Sequence, residues 1–322
     1  MKVSFLFLAC FLFVGCSPDE GHLHTQKWMT SNGKIKILST IAMIDDLVQE
    51  IAGPYADTET LISGQLDPHS YQLVKGDDEK LSVANIIFCN GLGLEHGPSL
   101  RNLLSESPKV ISLGDLLKEK HPELFLYYNG TVDPHVWMDM SLWLQTTEYI
   151  AQALIKQDPS HALEYLERAK VVRDNLMSLH KKFIRDMERV PESKRFLITS
   201  HDAFNYFSRA YLATEEERKN GGWEKRFAAP EGLAPESQLS VSDIKNILDH
   251  MKKYGIQVVF PETNVSQSSI KKLMDAGKEM GIPVTIASES LYGDAMGPPG
   301  SAGSKYSKMI EYDVNTIIKY LK

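Results

Sequence analysis

The sequence is poor in cysteine, and this shortage excludes two kinds of structural support. Only three cysteines occur among 322 residues, and Cys10 and Cys16 both lie in the first 16 positions. Cys89 is therefore the only thiol in the body of the chain, which excludes an internal disulfide and a cysteine-based zinc site there. Because Cys89 ends the apolar run Ile86–Cys89, we expect it to be a buried structural thiol.

Basic excess and long apolar runs are also missing, which excludes two further classes of protein. The chain has 35 basic and 42 acidic residues, so its formal net charge of -7 offers no basic surface for nucleic acid. After the N-terminus, no apolar stretch approaches the roughly 20 residues of a membrane-spanning helix. With 43% hydrophobic and 24% charged residues, the composition is that of a folded protein with one large domain or two ordinary ones.

The N-terminus has the pattern of an export signal. Lys2 precedes twelve uncharged residues, Val3–Val14, a run too short to cross a bilayer. Cys16 follows directly and resembles the cysteine that is lipidated in bacterial lipoproteins; ordinary cleavage nearby is the alternative. We therefore predict an export signal over 1–16, a flexible tail over 17–33 and a mature protein outside the cytoplasmic membrane, either periplasmic or anchored to its outer face.

Strand-like and helical segments alternate along the rest of the chain, which predicts an α/β fold with mostly parallel sheets covered by helices. We predict an N-terminal lobe over 34–157, a long connecting helix over 158–190 and a C-terminal lobe over 191–322. The predicted strands are Lys34–Ser39, Thr58–Ile62, Ala84–Cys89, Lys109–Leu113, Arg195–Ser200, Gln257–Phe260 and Pro283–Ile286. Helices are predicted at Ile41–Ile51, Met140–Ile155, Ser242–Tyr254 and Ser268–Met280.

The connecting helix is predicted by a single apolar face. Asp158 and Pro159 offer an N-cap followed by proline at the first helical position. Beyond them, apolar residues recur in steps of three and four at Ala162, Leu166, Ala169, Val172, Leu176, Leu179, Phe183 and Met187. Some 30 residues would give a helix about 45 Å long, stiff enough to argue against a wide hinge.

A repeated tripeptide is the sharpest chemical signal. Asp67-Pro68-His69 and Asp133-Pro134-His135 are each followed two residues later by an aromatic residue, Tyr71 or Trp137. Proline fixes the backbone, while the aspartate can hold the turn or the second ring nitrogen of the histidine, as around metal ligands. The pattern favours two metal-ligating histidines over two surface turns, and we expect the aromatic residues to wall the site.

Two further candidates follow strands of the predicted C-terminal lobe. His201 stands at the carboxyl end of a strand, where ligands bind in open α/β sheets. Asp294 lies in a loop with Gly293 and Gly297 that would let the backbone approach a ligand closely. Alone, each is weak evidence, because an aspartate in a glycine-rich loop is usually a turn former.

Together these segments make the chain similar to the metal-binding proteins of bacterial ABC importers for zinc, manganese and iron, the TroA/ZnuA/PsaA family. The similarity runs from about Lys34 to Leu321. Its matching pieces are DPHSY, NGLGLE, DPHVW, SHDAFNYF, PETNVS and SLYGDAMG. The resemblance implies two ligands from each lobe, namely His69, His135, His201 and Asp294. This is the three-histidine, one-aspartate set of the TroA-type subgroup, whereas manganese-dedicated relatives have Glu in place of His201.

The same resemblance implies a function and partners. It implies a monomeric solute-binding protein, not an enzyme, that captures one divalent transition metal ion (Zn, Mn or Fe) and delivers it to an ABC permease with its ATPase. The competing classes are a secreted zinc hydrolase and a surface adhesin. No HExxH motif or nucleophile elbow supports the hydrolase, and no macromolecular binding face supports the adhesin.

Two features depart from the family pattern. The His-rich loop of many zinc-dedicated members is missing, since Glu119–Val132 contains only His121. The charged segment 213–235 is longer than the family's turn, and we expect a solvated surface loop.

Near the site, Glu262 is a candidate to accept a hydrogen bond from a ligand histidine, and we expect His96 to be packed or exposed but not ligating.

Overall fold

The computed structural model describes residues 20–235 and 239–322. The predicted export signal and the lipidation at Cys16 lie outside the described residues. What is described is an α/β fold with parallel sheets, helices that cover them and one long helix, as predicted.

The first sheet has four parallel strands in the order β2-β1-β3-β4. β1 is buried along nearly its whole length because helices cover both faces of the sheet. The four predicted strands are confirmed, with small shifts in their ends. The observed strands are β1 (Ile35–Ile41), β2 (Ala56–Ile62), β3 (Ile86–Cys89) and β4 (Val110–Ser112). Cys89 is free and buried, as predicted.

A short hairpin follows this sheet. It consists of β5 (Tyr127–Tyr128) and β6 (Thr131–Val132), which pair antiparallel. Asn129 and Gly130 form its turn with positive φ angles of 50° and 81°. Asn-Gly is the pair that such a two-residue turn favours.

Helices surround the first sheet. They are α1 (Glu20–Met29), α2 (Ala42–Ala52), α3 (Asp77–Val83), α4 (Pro98–Glu106), α5 (Leu113–Lys120), α6 (Met140–Trp143) and α7 (Thr146–Gln157). The helix predicted over Met140–Ile155 is divided in two. The hydroxyls of Thr146 and Thr147 donate to the carbonyls of Trp143 and Leu144 at 2.7 Å. These side-chain hydrogen bonds compete with the backbone hydrogen bonds of a continuous helix.

The tail predicted over 17–33 differs from the structure in its described part. Trp28, in α1, is only 3% exposed, and its indole nitrogen donates to the carbonyl of Asp57 in β2 at 3.0 Å. Thr25 donates to Glu59 at 3.0 Å. A large buried aromatic ring with a hydrogen-bonded nitrogen fixes this segment to the edge of the sheet.

The long helix is confirmed as α8 (Ala162–Met187), about 39 Å in length. It begins later than predicted because Pro159–His161 form a 3-10 turn capped by Asp158. The predicted apolar face is wrong at its first turns, where Tyr165 is buried and Leu166 is 51% exposed. Tyr165 takes the inner position because its hydroxyl donates to Asp158 at 2.9 Å.

The C-terminal sheet has shorter strands than predicted. They are β7 (Leu197–Ile198), β8 (Phe227–Ala228), β9 (Val258–Val259) and β10 (Thr285–Ile286). β7 pairs with β8 and β9 with β10, both parallel, and Phe260 N donates to Ile198 O at 2.8 Å to join the pairs. The helices are α9 (Asn205–Phe207), which continues as a π turn, α10 (Glu215–Asn220), α11 (Val241–Tyr254), α12 (Ser268–Glu279) and α13 (Tyr306–Leu321).

The prediction of a solvated loop over 213–235 is wrong for its centre. Thr214 and Glu217 form a reciprocal cap at the start of α10, and β8 follows. Glu217 and Arg226 are both buried and joined by two hydrogen bonds of 2.9 Å. A paired, buried guanidinium and carboxylate give the segment its fixed structure.

The larger of the two apolar clusters among the described residues runs through both lobes, and the smaller one lies between the C-terminal strands and the helices α11 and α12. The larger cluster includes side chains of β1 and α2, of α8, and of the last helix α13. Tyr306, at the start of α13, donates its hydroxyl to the carbonyl of Trp137 at 2.6 Å and its backbone N–H to Asp46 at 2.9 Å. The lobe boundaries at 157 and 190 stay a prediction, but α8 and α13 both connect the two halves through packed side chains.

This packing generates a prediction about motion. Since a stiff helix and a shared core join the lobes, release of bound metal should involve the loops that carry His201 and Asp294 and not a wide hinge. X-ray scattering curves of the metal-free and metal-bound protein should nearly coincide. A difference of several ångströms in radius of gyration would contradict this expectation.

A second prediction concerns acid stability. Burial opposes ionisation of Glu217, but hydrogen bonds from Arg226 and Lys225 outweigh it and lower its pKa to about 2. This stabilisation is therefore present above the ordinary pKa of 4.5 and is lost as the pH falls toward 2. After allowance for solvent screening at the exposed Lys225, Glu217→Gln should cost about 2 kcal/mol of unfolding free energy at pH 7 and less than half of that at pH 3.

Urea unfolding at the two pH values measures this difference. Glu216→Gln is the matched control, because it removes the same charge from an exposed neighbour. Equal destabilisation by Glu217→Gln at both pH values would contradict the assignment.

Candidate metal centre

Four loops bring the predicted ligands to one place. His69 follows β2, His135 follows the β5–β6 hairpin, His201 follows β7, and Asp294 follows β10. All four side chains are buried, and one ligand atom from each lies within 4.8 Å of the others. Within 20–235 and 239–322, this is the one such group of three or more His, Cys, Asp or Glu residues.

The distances around Asp294 describe a compact group. His201 Nε2 lies 3.0 Å from Asp294 Oδ2, and His69 Nε2 lies 3.5 Å from the same oxygen. His135 Nε2 lies 3.4 Å from Asp294 Oδ1 and 3.2 Å from His69 Nε2. Every imidazole therefore turns its Nε2 atom toward a common centre, where the carboxylate also points.

The second DPH motif orients its own histidine. Asp133 Oδ1 accepts from the backbone N–H of His135 at 2.9 Å and lies 2.7 Å from its Nδ1 atom. A proton on Nδ1 leaves Nε2 with a free lone pair for a metal ion. The prediction that this aspartate holds the turn and the ring nitrogen is confirmed for Asp133.

The first DPH motif shows only the turn interaction. Asp67 Oδ1 accepts from the backbone N–H of His69 at 2.9 Å, and Asp67 Oδ2 accepts from Ser70 at 2.7 Å. The partly buried His96 has its ring centroid 5.6 Å from that of His69. Its Nδ1 atom lies 3.2 Å from the carbonyl of Gly93, so the ring is packed, which is one of the two environments predicted for it.

Glu262 performs the corresponding role for His201. Its Oε2 atom lies 2.7 Å from His201 Nδ1, and its Oε1 atom accepts from the backbone N–H groups of Ser200 and His201, both at 2.9 Å. Glu262 thus lies beside the candidate ligand histidine, as the sequence predicted, and within ion-pair distance of its Nδ1 atom. Gly293 is required here, because a Cβ atom on it would lie 2.5 Å from Glu262 Oε2.

Trp137 reaches from one lobe to the other. Its ring meets that of His135 edge-on at 5.4 Å, so it walls the site as predicted. Its indole nitrogen donates to the carbonyl of Gly293 at 3.0 Å, directly before Asp294. Tyr71 instead donates its hydroxyl to Asp77 at 2.7 Å, which stabilises the chain after the first motif.

The NGLGLE segment supports the second motif, a role that the sequence analysis did not predict. Buried Glu95 accepts from the backbone N–H groups of Asn90 and Gly91 and from the hydroxyl of Thr40. The Asn90 amide donates to the carbonyl of Pro134 at 3.0 Å. The segment is thus a folded loop that fixes the backbone beside His135.

Burial and charge act in opposite directions on the four side chains. Burial lowers the pKa of His69, which favours the neutral imidazole that metals bind. Burial opposes protonation of His201, but Glu262 and Asp294 outweigh it and raise its pKa. Burial likewise opposes ionisation of Asp294, but the imidazoles of His201 and His135 outweigh it and hold its pKa well below the usual value.

Comparison with known proteins identifies the class. The family model described as "Zinc-uptake complex component A periplasmic" matches residues 37–320, so the chain belongs to this family. It is 39% identical to metal-binding protein YtgA of Chlamydia muridarum over 251 residues, 78% of this chain and 75% of that one. It is 29% identical to manganese-binding lipoprotein MntA of Bacillus subtilis, with 98% and 96% of the two chains covered.

Two solved structures match this chain over most of its length. Fe(III)-bound YtgA from Chlamydia trachomatis matches with a TM-score of 0.84 at 36% identity, covering 89% of this chain and 98% of that one. Periplasmic zinc-binding protein TroA from Treponema pallidum matches with a TM-score of 0.80 at 28% identity, covering 90% and 99%.

These matches confirm the family predicted from the sequence and its coarse function. The protein is a metal-binding, substrate-binding component of an ABC metal transporter that works outside the cytoplasmic membrane, and its relatives are transport proteins and not enzymes. Within the described part of the chain, no helix has the length and apolar character that crossing a membrane requires.

Proposed function

We propose that this protein captures one divalent first-row transition metal ion through His69, His135, His201 and Asp294 and delivers it to an ABC permease. The observation that carries the proposal is the convergence of three Nε2 atoms and one carboxylate in a buried centre between the lobes. The relatives named for zinc, manganese and iron support a cargo of this class.

The spacing of the four side chains fits a small ion. Donor atoms bound tetrahedrally at about 2.0–2.1 Å lie about 3.4 Å from each other. Four of the separations, 3.0, 3.2, 3.4 and 3.5 Å, lie near that value, and one donor atom from each residue lies within 4.8 Å of the other three. Four protein ligands fill a tetrahedral shell, and such closed sites suit holding an ion more than activating a water molecule.

Neither competing class has an observation in its favour. A zinc hydrolase keeps an open coordination position with a general base beside it. Here the two nearest buried carboxylates, Asp133 and Glu262, are engaged with the Nδ1 atoms of His135 and His201. For an adhesin, no macromolecular binding face was predicted from the sequence.

Cellular context follows from the relatives. Several are described as lipoproteins, which supports a lipid on Cys16 as the membrane anchor of this chain. A permease and its ATPase are the partners that a substrate-binding component of an ABC importer requires. We propose that the protein meets them as a monomer and binds no nucleic acid, in keeping with its net charge of -7.

The ligand set is tested by removing its histidines. His69→Ala or His135→Ala should weaken Zn²⁺ binding by orders of magnitude, because each removes one donor from a four-donor site. Calorimetric titration measures affinity and stoichiometry, and circular dichroism checks the fold. His121→Ala is the control, since His121 lies outside the group of four. Unchanged affinity and stoichiometry in both site variants would overturn the ligand set.

Selectivity is a separate prediction. Sites rich in imidazole follow the Irving–Williams order, so Zn²⁺ should bind more tightly in vitro than Mn²⁺ or Fe²⁺. The missing His-rich loop leaves manganese or iron open as the cargo carried in the cell, because metal availability also decides loading. His201→Glu introduces a hard oxygen donor and should weaken Zn²⁺ binding more than Mn²⁺ binding.

Competition titrations on the wild type and His201→Glu give the ratio of the two affinities. The Zn²⁺/Mn²⁺ ratio should fall in the variant. A ratio that stays the same or rises would mean that His201 is not a ligand.

A further inference from the structure

Asn205 lies between two buried carboxylates that belong to different lobes. Its Nδ2 atom donates to Asp133 Oδ2 at 3.0 Å and to Asp202 Oδ1 at 2.8 Å. Asp133 is fully buried and Asp202 is only 7% exposed. Asp133 belongs to the second DPH motif, whereas Asp202 follows His201 directly.

The interaction completes the environment of Asp133. One oxygen of this carboxylate, Oδ1, already serves the backbone and the ring of His135. The other oxygen, Oδ2, accepts from Asn205. With both oxygens engaged, the carboxylate has one preferred rotation, and the His135 ring that it holds has one preferred orientation.

The chemistry of the amide fits this position. A primary amide has two N–H donors on one atom and carries no charge, so it can donate to two carboxylates at once. Without such a donor, the repulsion between the two buried carboxylates would be less well compensated. The same amide thereby links the segment that carries His201 to the acceptor of His135.

We propose that Asn205 is a positioning residue that holds Asp133, and through it His135, in the orientation that retains the metal ion. The proposal rests on the ligand set proposed above. It predicts that loss of the amide accelerates metal release although Asn205 lies outside the group of four ligands.

The next residue in the chain, Tyr206, also contacts the second DPH motif. Tyr206 donates its hydroxyl to the backbone carbonyl of Asp133 at 3.2 Å and accepts from the backbone N–H of Leu126 at 3.0 Å. The backbone N–H of Asp133 also donates to the carbonyl of Leu126 at 2.9 Å, which holds the backbone of the motif in place when the side chain of Asn205 or the hydroxyl of Tyr206 is removed. Tyr206→Phe is also a matched control, since it acts on Asp133 without touching the carboxylate.

The experiment follows Zn²⁺ release into an excess of a chromogenic chelator by stopped flow. Asn205→Ala should release Zn²⁺ about tenfold faster than the wild type, the lower end of the ten- to hundredfold loss of metal affinity that follows mutation of a direct partner of a ligand. Tyr206→Phe should stay within about twofold. Equal acceleration by both variants would overturn the proposal, because it would indicate general loosening of the motif.

A double-mutant cycle with Asp133→Ala identifies the route of the effect. If Asn205 acts through Asp133, then Asn205→Ala should change the release rate by no more than about twofold in the Asp133→Ala background. If the double variant releases Zn²⁺ faster by the product of the two single factors, Asn205 does not act through Asp133 and the proposal is overturned. Asn205→Ser, which keeps a single donor, replaces the alanine variant if thermal unfolding of the metal-free protein shows that Asn205→Ala is not folded.

His135→Ala separates this inference from the proposed function. If His135→Ala binds Zn²⁺ as the wild type does, the ligand set itself is wrong. If His135→Ala loses Zn²⁺ while Asn205→Ala releases it at the wild-type rate, the ligand set stands and the role of Asn205 is wrong.

Discussion

A buried carboxylate surrounded by three imidazoles is the constraint on which the rest of this structure depends. Asp294 is 2% exposed, and removal of a carboxylate from water is costly unless positive charge or hydrogen bonds compensate for it. Neither of its oxygens has a hydrogen-bond partner among the described residues, and both face the Nε2 atoms of the surrounding imidazoles. A cation bound among the four side chains would supply this compensation, and without it the neighbouring imidazoles favour the ionised carboxylate, since they lower the pKa of Asp294.

Holding such a group together requires that the two lobes keep their relative position. The four candidate ligand atoms come from both lobes, and a shift of an ångström would change the spacing that a metal ion would need. The shared core, α8 and the contacts of Tyr306 with Trp137 and Asp46 oppose such a shift. The same features can keep the four side chains close together before an ion binds.

Much of the candidate site was predictable because its residues lie in short motifs. The repeated DPH tripeptide indicated His69 and His135, and family resemblance added His201 and Asp294. The neighbours that orient these residues were harder to predict, since Asn205 lies 72 positions from Asp133 and meets it only after the lobes pack. Glu95 was missed for a related reason, because a buried carboxylate that caps its own loop has no periodicity that distinguishes it from a surface acid.

The order of strands and helices was predicted correctly in outline. The strand lengths and the inner face of α8 differ from the prediction because tertiary contacts override the local pattern of apolar residues. The strands of the C-terminal sheet are two residues long although their apolar runs are longer, because the chain leaves the sheet to form the site. Ser200 and His201, which the sequence placed at a strand end, instead direct their N–H groups to Glu262. Likewise, Tyr165 replaces Leu166 on the inner face of α8 because its hydroxyl has a partner in Asp158.

The acceptors of the ligand histidines also indicate which part of the centre is free to move. His135 is held by Asp133 within its own motif, and His201 by Glu262, whose loop bonds back to the chain before Asp294. Asp294 is held through its backbone, because Trp137 donates to the carbonyl of Gly293 and the N–H of Tyr292 donates to the buried carboxylate of Asp313 at 2.9 Å. The carboxylate of Asp67, in contrast, contacts the backbone N–H of His69 and not its ring. The ring of His69 is therefore the least restrained of the three candidate ligand rings.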